Sequence, residues 1–89
     1  MKISARAIGN NMTELFIGNT TILFSYAAPV AAHRYEWFRQ HGTIFVVTEQ
    51  RWCAATSRHI NMWLKGAHAK SVPQSFFDDL LETAKWKWT

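Results

Sequence analysis

Two hydrophobic periods divide the chain. Residues 2 to 8 and 12 to 17 alternate loosely around Gly9-Asn10-Asn11, a cluster rich in residues that tolerate positive φ, and this predicts a first β-hairpin. Glu14-Leu15-Phe16-Ile17 then meets Gly18-Asn19, followed by Thr20-Thr21-Ile22-Leu23-Phe24-Ser25-Tyr26, a run dense in β-branched and aromatic side chains; the combination predicts a second hairpin. After Pro29, residues 30–35 read as extended and lead into a longer loop that ends at Gln40-His41-Gly42. Thr43-Ile44-Phe45-Val46-Val47-Thr48 is a further β-branched run. Glu49-Gln50 separates it from Arg51-Trp52-Cys53-Ala54-Ala55, which predicts a third hairpin with Cys53 in the core or on the sheet surface.

Beyond residue 55 the period changes. Ile60, Trp63, Leu64 and Ala67 fall at i, i+3, i+4 and i+7, the spacing of one helical face, while Arg58, Asn61 and Lys65 take other faces. Thr56 or Ser57 can cap this helix and Gly66 can end it. A second helix is expected to open at Ser71-Val72-Pro73-Gln74, where Ser and Gln stand at capping-box spacing and proline fits the first turn. Phe76, Phe77, Leu80, Leu81 and Ala84 form its apolar stripe, and Asp78, Asp79 and Glu82 its solvated face. The predicted architecture is α+β: a small antiparallel β-meander of about five to six strands, followed by two C-terminal helices packed on one sheet face.

Length and composition fit this outline. The chain has 89 residues, which predicts a single domain over residues 1–89. With 48% hydrophobic and 18% charged residues it can support a core. Five tryptophans and six phenylalanines supply large buried areas, and the single cysteine excludes an internal disulfide. No apolar run reaches the ~18 residues of a membrane span, and the first residues have no continuous apolar stretch of a secretion signal, so a cytoplasmic location is expected.

Ten basic residues stand against six acidic ones, a net charge of +4 that favours anionic partners. Residues 51–70 hold Arg51, Arg58, Lys65 and Lys70 with no acid, so this segment carries a charge equal to that of the whole chain. Its helix opens at Thr56-Ser57-Arg58-His59, and two readings are compatible with the pattern. Either the hydroxyls simply cap the helix, or the free N–H groups and positive dipole end receive an anion. Trp52 and Trp63 add the basic and aromatic mixture used for single-stranded nucleic acid, although the same rings suit the core. Trp86 and Trp88 straddle Lys85 and Lys87 at the C-terminus, where a period of two replaces the helical one; they either close the core or form exposed anchors for a protein partner.

Catalytic and metal chemistry finds no support in the spacing. His33, His41, His59 and His68 form no His-x-x-x-His pair, and no Cys-x-x-Cys is present, so no metal is expected. Ser57 and His59 diverge by about 200° on a helix and cannot act as nucleophile and base. No glycine-rich phosphate loop occurs, so no cofactor is expected and the chain reads as a non-enzyme.

Three blocks carry a resemblance: Ser25-Tyr26-Ala27-Ala28-Pro29-Val30-Ala31-Ala32, Thr56-Ser57-Arg58-His59-Ile60-Asn61-Met62-Trp63-Leu64 and Val72-Pro73-Gln74-Ser75-Phe76-Phe77. Together they resemble a family of short bacteriophage and prophage proteins of unknown function, over residues 14 to 81. The resemblance implies a phage-borne accessory protein acting in a bacterial cytoplasm, where such proteins bind host machinery, CRISPR complexes and other defence systems included. The expected function is binding of a host protein or nucleoprotein complex as an anti-defence inhibitor. The alternative is a small basic nucleic-acid-binding module contacting phosphates through residues 51–70. In either case Arg51, Arg58, His59, Asn61, Lys65 and Lys70 form the expected binding surface, with Trp86 and Trp88 as candidate protein anchors. An unpaired edge strand would also invite a second copy, so a homodimer is compatible with the pattern.

Overall fold

The computed structural model describes residues 3–34 and 45–88, with side chains described as far as residue 82. Six strands form one sheet in the order β1-β2-β3-β4-β5-β6. They are β1 (Ile3–Gly9), β2 (Met12–Ile17), β3 (Thr20–Ser25), β4 (Ala28–Arg34), β5 (Phe45–Thr48) and β6 (Ala69–Val72), with α1 (Ala54–Leu64) between β5 and β6 and α2 (Gln74–Trp88) last. The first five strands are antiparallel neighbours, whereas β6 runs parallel to β5, which obliges α1 to serve as the crossover between them.

The α+β class and strand number match the sequence reading, but the two helices lie on opposite faces of the sheet. Period-two alternation in β3 separates Ile22 and Phe24 from Leu23 and Ser25. Ile22 joins Ala32, Val46, Val72 and Phe77, with Phe24, Phe76, Leu80 and Leu81 packed around them, so α2 covers this face. Leu23 joins Met12, Val30 and Ala31, with Trp52, Ile60 and Trp63 against them, so α1 covers the other. A sheet covered on both faces needs apolar residues at consecutive positions of its central strands, and that is why Ile22-Leu23 and Val30-Ala31-Ala32 do not alternate with polar residues. Pro29 sits inside a central strand at the register shift between Leu23 and Phe24, where a missing N–H is tolerated.

Further expectations are corrected. The third hairpin does not form, because residues 51–53 carry no strand and Ala54-Ala55, the strongest helix formers, begin α1 instead. Cys53 is therefore not core or sheet: it is exposed and occupies the helix N-cap with extended backbone and no side-chain cap bond. Thr56 and Ser57 lie inside the first turns rather than at the cap. Lys65 and Gly66 end α1 at φ values of 51° and 83°, and the Lys65 N–H donates to Asn61 O at 3.1 Å. The capping box before α2 also fails. Ser71 belongs to β6, and Gln74 uses its side chain elsewhere: Nε2 donates to Pro29 O at 2.6 Å, and Oε1 accepts from Thr48 Oγ1 at 2.7 Å. Those two bonds tie the start of α2 to β4 and β5. The helix continues through the positions where a period of two was expected, to Trp88. The predicted loop over residues 35–42 and the side chains of Ala84, Trp86 and Trp88 lie outside the described residues.

Candidate functional site

The α1-facing side of the sheet gathers a connected set of polar side chains. Ser25 ends β3 pointing at α1, and Thr56 and His59, one turn apart, meet it there. Ser25 Oγ donates to Thr56 Oγ1 at 2.9 Å and lies 2.8 Å from His59 Nδ1. Because Ser25 has one hydroxyl proton, donation to Thr56 requires His59 to carry hydrogen on Nδ1. Thr56 Oγ1 lies 3.5 Å from Cys53 Sγ. Hydrogen bonds from the Thr56 hydroxyl, then from backbone N–H groups including that of Thr56, hold the Cys53 thiol below its ordinary pKa.

A serine within hydrogen-bonding distance of a histidine invites a nucleophile reading, but Ser25 is only 2% exposed and Thr56 equally so. No substrate carbonyl can approach Oγ, and the triplet instead clamps α1 to β3 with its buried hydroxyls paired. Tyr26, which follows, is 53% exposed and holds φ at 57°, a conformation unfavourable for a bulky side chain. Its N–H donates to Asn11 O at 2.7 Å, and its ring centroid lies 5.8 Å from that of His59.

One turn further along α1, Trp63 Nε1 donates to Glu14 Oε2 at 2.8 Å, and Arg6 of β1 donates to Glu14 Oε1 at 3.0 Å. Glu14 and Arg6 are cross-strand partners, so the pairing follows directly from sheet register. His33 stacks on Trp63 at 5.6 Å between ring centroids, and Phe45 packs edge-on against both rings. Burial lowers the pKa of His33, and the Glu14 carboxylate partly opposes this.

Around these groups an open cleft of about 680 Å³ runs between the β1–β2 hairpin and the C-terminal half of α1. Trp63, Phe45 and His33 contribute its aromatic wall, Ile8 and Met12 add apolar surface, and Arg6, Arg58, Lys65 and His59 bring positive or protonatable groups. Glu14 is the acid among the described lining residues. Arg58 and Lys65 are two turns apart on one face of α1, roughly 10 Å along the axis. Met62 lies between them, 60% exposed.

Of the expected binding residues, Arg58, His59 and Lys65 line this cleft. Asn61 is exposed on α1 beside Arg58 and Lys65 but does not line the cleft, Arg51 precedes the opposite end of the helix, and Lys70 pairs with Val46 on the α2-facing side of the sheet. The basic segment is thus split by the fold rather than presented as one strip. Arg6, Glu14 and His33 were not singled out from the sequence; a charged pair opposite one another in the predicted first hairpin was the available signal for two of them. Among the described residues no cluster of three or more metal-ligating side chains occurs, and no helix is long and apolar enough to cross a membrane.

A family model described as a family of unknown function matches residues 2–79. No curated protein and no solved structure matches the chain.

Proposed function

The chain belongs to the DUF8033 family of unknown function, and from that premise we propose that it is a non-enzymatic binding protein whose cleft between β1–β2 and α1 receives an anionic group of a host protein or nucleoprotein complex. The supporting observation is convergence: Arg6 from β1 and Arg58 and Lys65 from α1 are carried to one open cleft beside exposed Met62. Cationic and flexible apolar side chains at an open, aromatic-lined surface provide both steering and contact area for a negatively charged partner. Ser25 is closed to solvent, so the same face offers a binding surface without an accessible serine nucleophile.

The Thr-Ser-Arg-His-Ile-Asn-Met-Trp-Leu block and its resemblance to phage and prophage proteins support a phage-borne accessory role in the bacterial cytoplasm, directed against host defence. Four of its side chains have assigned places here: Thr56 and His59 fasten the helix to the sheet, Arg58 lines the cleft and Trp63 anchors Glu14.

Site-directed photocrosslinking tests the reading. A photoreactive residue at Met62 is expected to capture one partner from a bacterial lysate in near-stoichiometric yield, while the same group at exposed Ser75 on α2 captures none. Equal capture from both positions, or capture from Ser75 alone, overturns it.

A further inference from the structure

We propose that this cleft is a nucleoside-phosphate site, with a base held against the Trp63–Phe45–His33 wall and the phosphate on Arg58 and Lys65; the assignment rests on reading the cleft as a binding surface. A volume of about 680 Å³ is that of a small-ligand pocket, which spans about 300–1,000 Å³, rather than of a groove for an extended chain.

Three features select the ligand. The first is the aromatic wall, where the three rings pack within 5.1 to 5.7 Å of one another and form a fixed platform for a flat heterocycle. The second is the Glu14 carboxylate that lines the cleft. Each oxygen already accepts one hydrogen bond, from Arg6 or from Trp63, and a carboxylate has about four acceptor positions, so capacity is left for an exocyclic amine. Adenine, cytosine and guanine carry such an amine and uracil does not. The third is the cationic pair on α1. Arg58 offers a planar fork of donors and Lys65 a point charge, a combination suited to phosphate oxygens.

The same acid argues against a purely acidic peptide. A run of Asp or Glu would satisfy Arg58 and Lys65 but bring like charge toward Glu14 and leave the aromatic wall without a matching surface. A nucleotide carries a neutral, amine-bearing base and an anionic group together, as the cleft carries the half-buried Glu14 and rings together with the exposed cations Arg58 and Lys65.

The nucleoside phosphate can be free or part of a single strand, and one experiment distinguishes the sources. The full chain, labelled for observation of indole and backbone N–H signals, is titrated with AMP, CMP, GMP, UMP, inorganic phosphate and a mixed-sequence single-stranded oligonucleotide. The amine-bearing mononucleotides are expected to move the Trp63 indole signal and saturate, with inorganic phosphate and UMP each binding at least tenfold more weakly. R58A/K65A is expected to lose at least tenfold in affinity with its circular dichroism unchanged. E14Q, whose amide oxygen can still accept a hydrogen bond, is expected to narrow the gap between AMP and UMP. An oligonucleotide that binds at least tenfold tighter than any mononucleotide, with a steeper salt dependence, assigns the ligand to single-stranded nucleic acid; equal affinities assign it to free nucleotide.

Inorganic phosphate binding as tightly as AMP overturns the proposal. So does silence of the Trp63 signal toward every nucleotide and the oligonucleotide at millimolar concentration. If the Met62 crosslink still captures its partner in that case, the nucleotide assignment fails alone; if it does not, the binding-surface reading falls with it.

Discussion

Replacing Ser25 with alanine removes one oxygen from the junction of α1 and β3, and the consequence can be worked from the contacts around it. Oγ bonds both Thr56 Oγ1, at 2.9 Å, and His59 Nδ1, at 2.8 Å, in a position 2% exposed. Each bond contributes about 1 kcal/mol net, and leaving a buried partner unsatisfied adds to that loss, so S25A is expected to cost about 2–3 kcal/mol. In a domain of this size each kcal/mol lowers the melting temperature by about 4–8 °C, which places the variant about 8–24 °C below the parent. T56V removes the neighbouring hydroxyl. The double variant S25A/T56V leaves fewer stranded groups and is expected to be at least about 1 kcal/mol less destabilised than the sum of the two single changes. Urea unfolding followed by far-ultraviolet circular dichroism measures all three, with an unchanged denaturant slope as the check on two-state behaviour. An S25A variant within about 0.5 kcal/mol of the parent, or strictly additive effects, would refute the clamp reading.

The two packed tryptophans should respond differently to phenylalanine. W63F strands Glu14 Oε2 and is expected to cost about 1.5–3 kcal/mol, whereas W52F deletes a buried indole N–H that has no partner among the described residues and is expected to cost less than about 1 kcal/mol; unfolding curves that reverse this order contradict the assignment. His33 is held below its ordinary value of 6.5 by burial among Trp63 and Phe45, while Glu14, itself paired with Arg6, opposes the shift. The unfolded chain therefore binds the proton more readily, so this contribution to stability is present above pH 6.5 and is lost as pH falls through the lower folded-state value. H33F lacks the titration, and its melting temperature relative to the parent is expected to rise between pH 7.5 and pH 5; a constant difference argues against it. G66A places a side chain at φ +83° in open space and is expected to destabilise by about 1–2 kcal/mol through backbone conformation alone; an unchanged urea midpoint contradicts that.

Local pairing was the most legible part of the fold. Gly18 adopts φ 60° in a two-residue turn, and the strands on either side pair in continuous register, as the Gly18-Asn19 signal implied. β6 escaped notice because a short parallel edge strand with one buried residue, Val72, carries no alternation to read. The opposite placement of the helices was encoded in the unbroken apolar runs of β3 and β4, which signal burial on two faces rather than one. In the site, Arg58, His59 and Lys65 were legible because helical spacing is local. Arg6, Glu14, His33 and Ser25 depend on strand register and on how α1 docks, which no short spacing contains. The same distinction explains why Arg51 and Lys70, close to the others in the chain, are directed elsewhere.

Charge reversal in matched pairs tests the central claim most directly, because it separates the cleft from net charge. R58E/K65E and R51E/K70E change the chain's charge by the same amount, one pair inside the cleft and the other outside it. Capture of the partner from a bacterial lysate, with circular dichroism confirming that both variants fold, is predicted to be lost in R58E/K65E and retained in R51E/K70E. Equal loss from both pairs, or retention in both, would contradict the account.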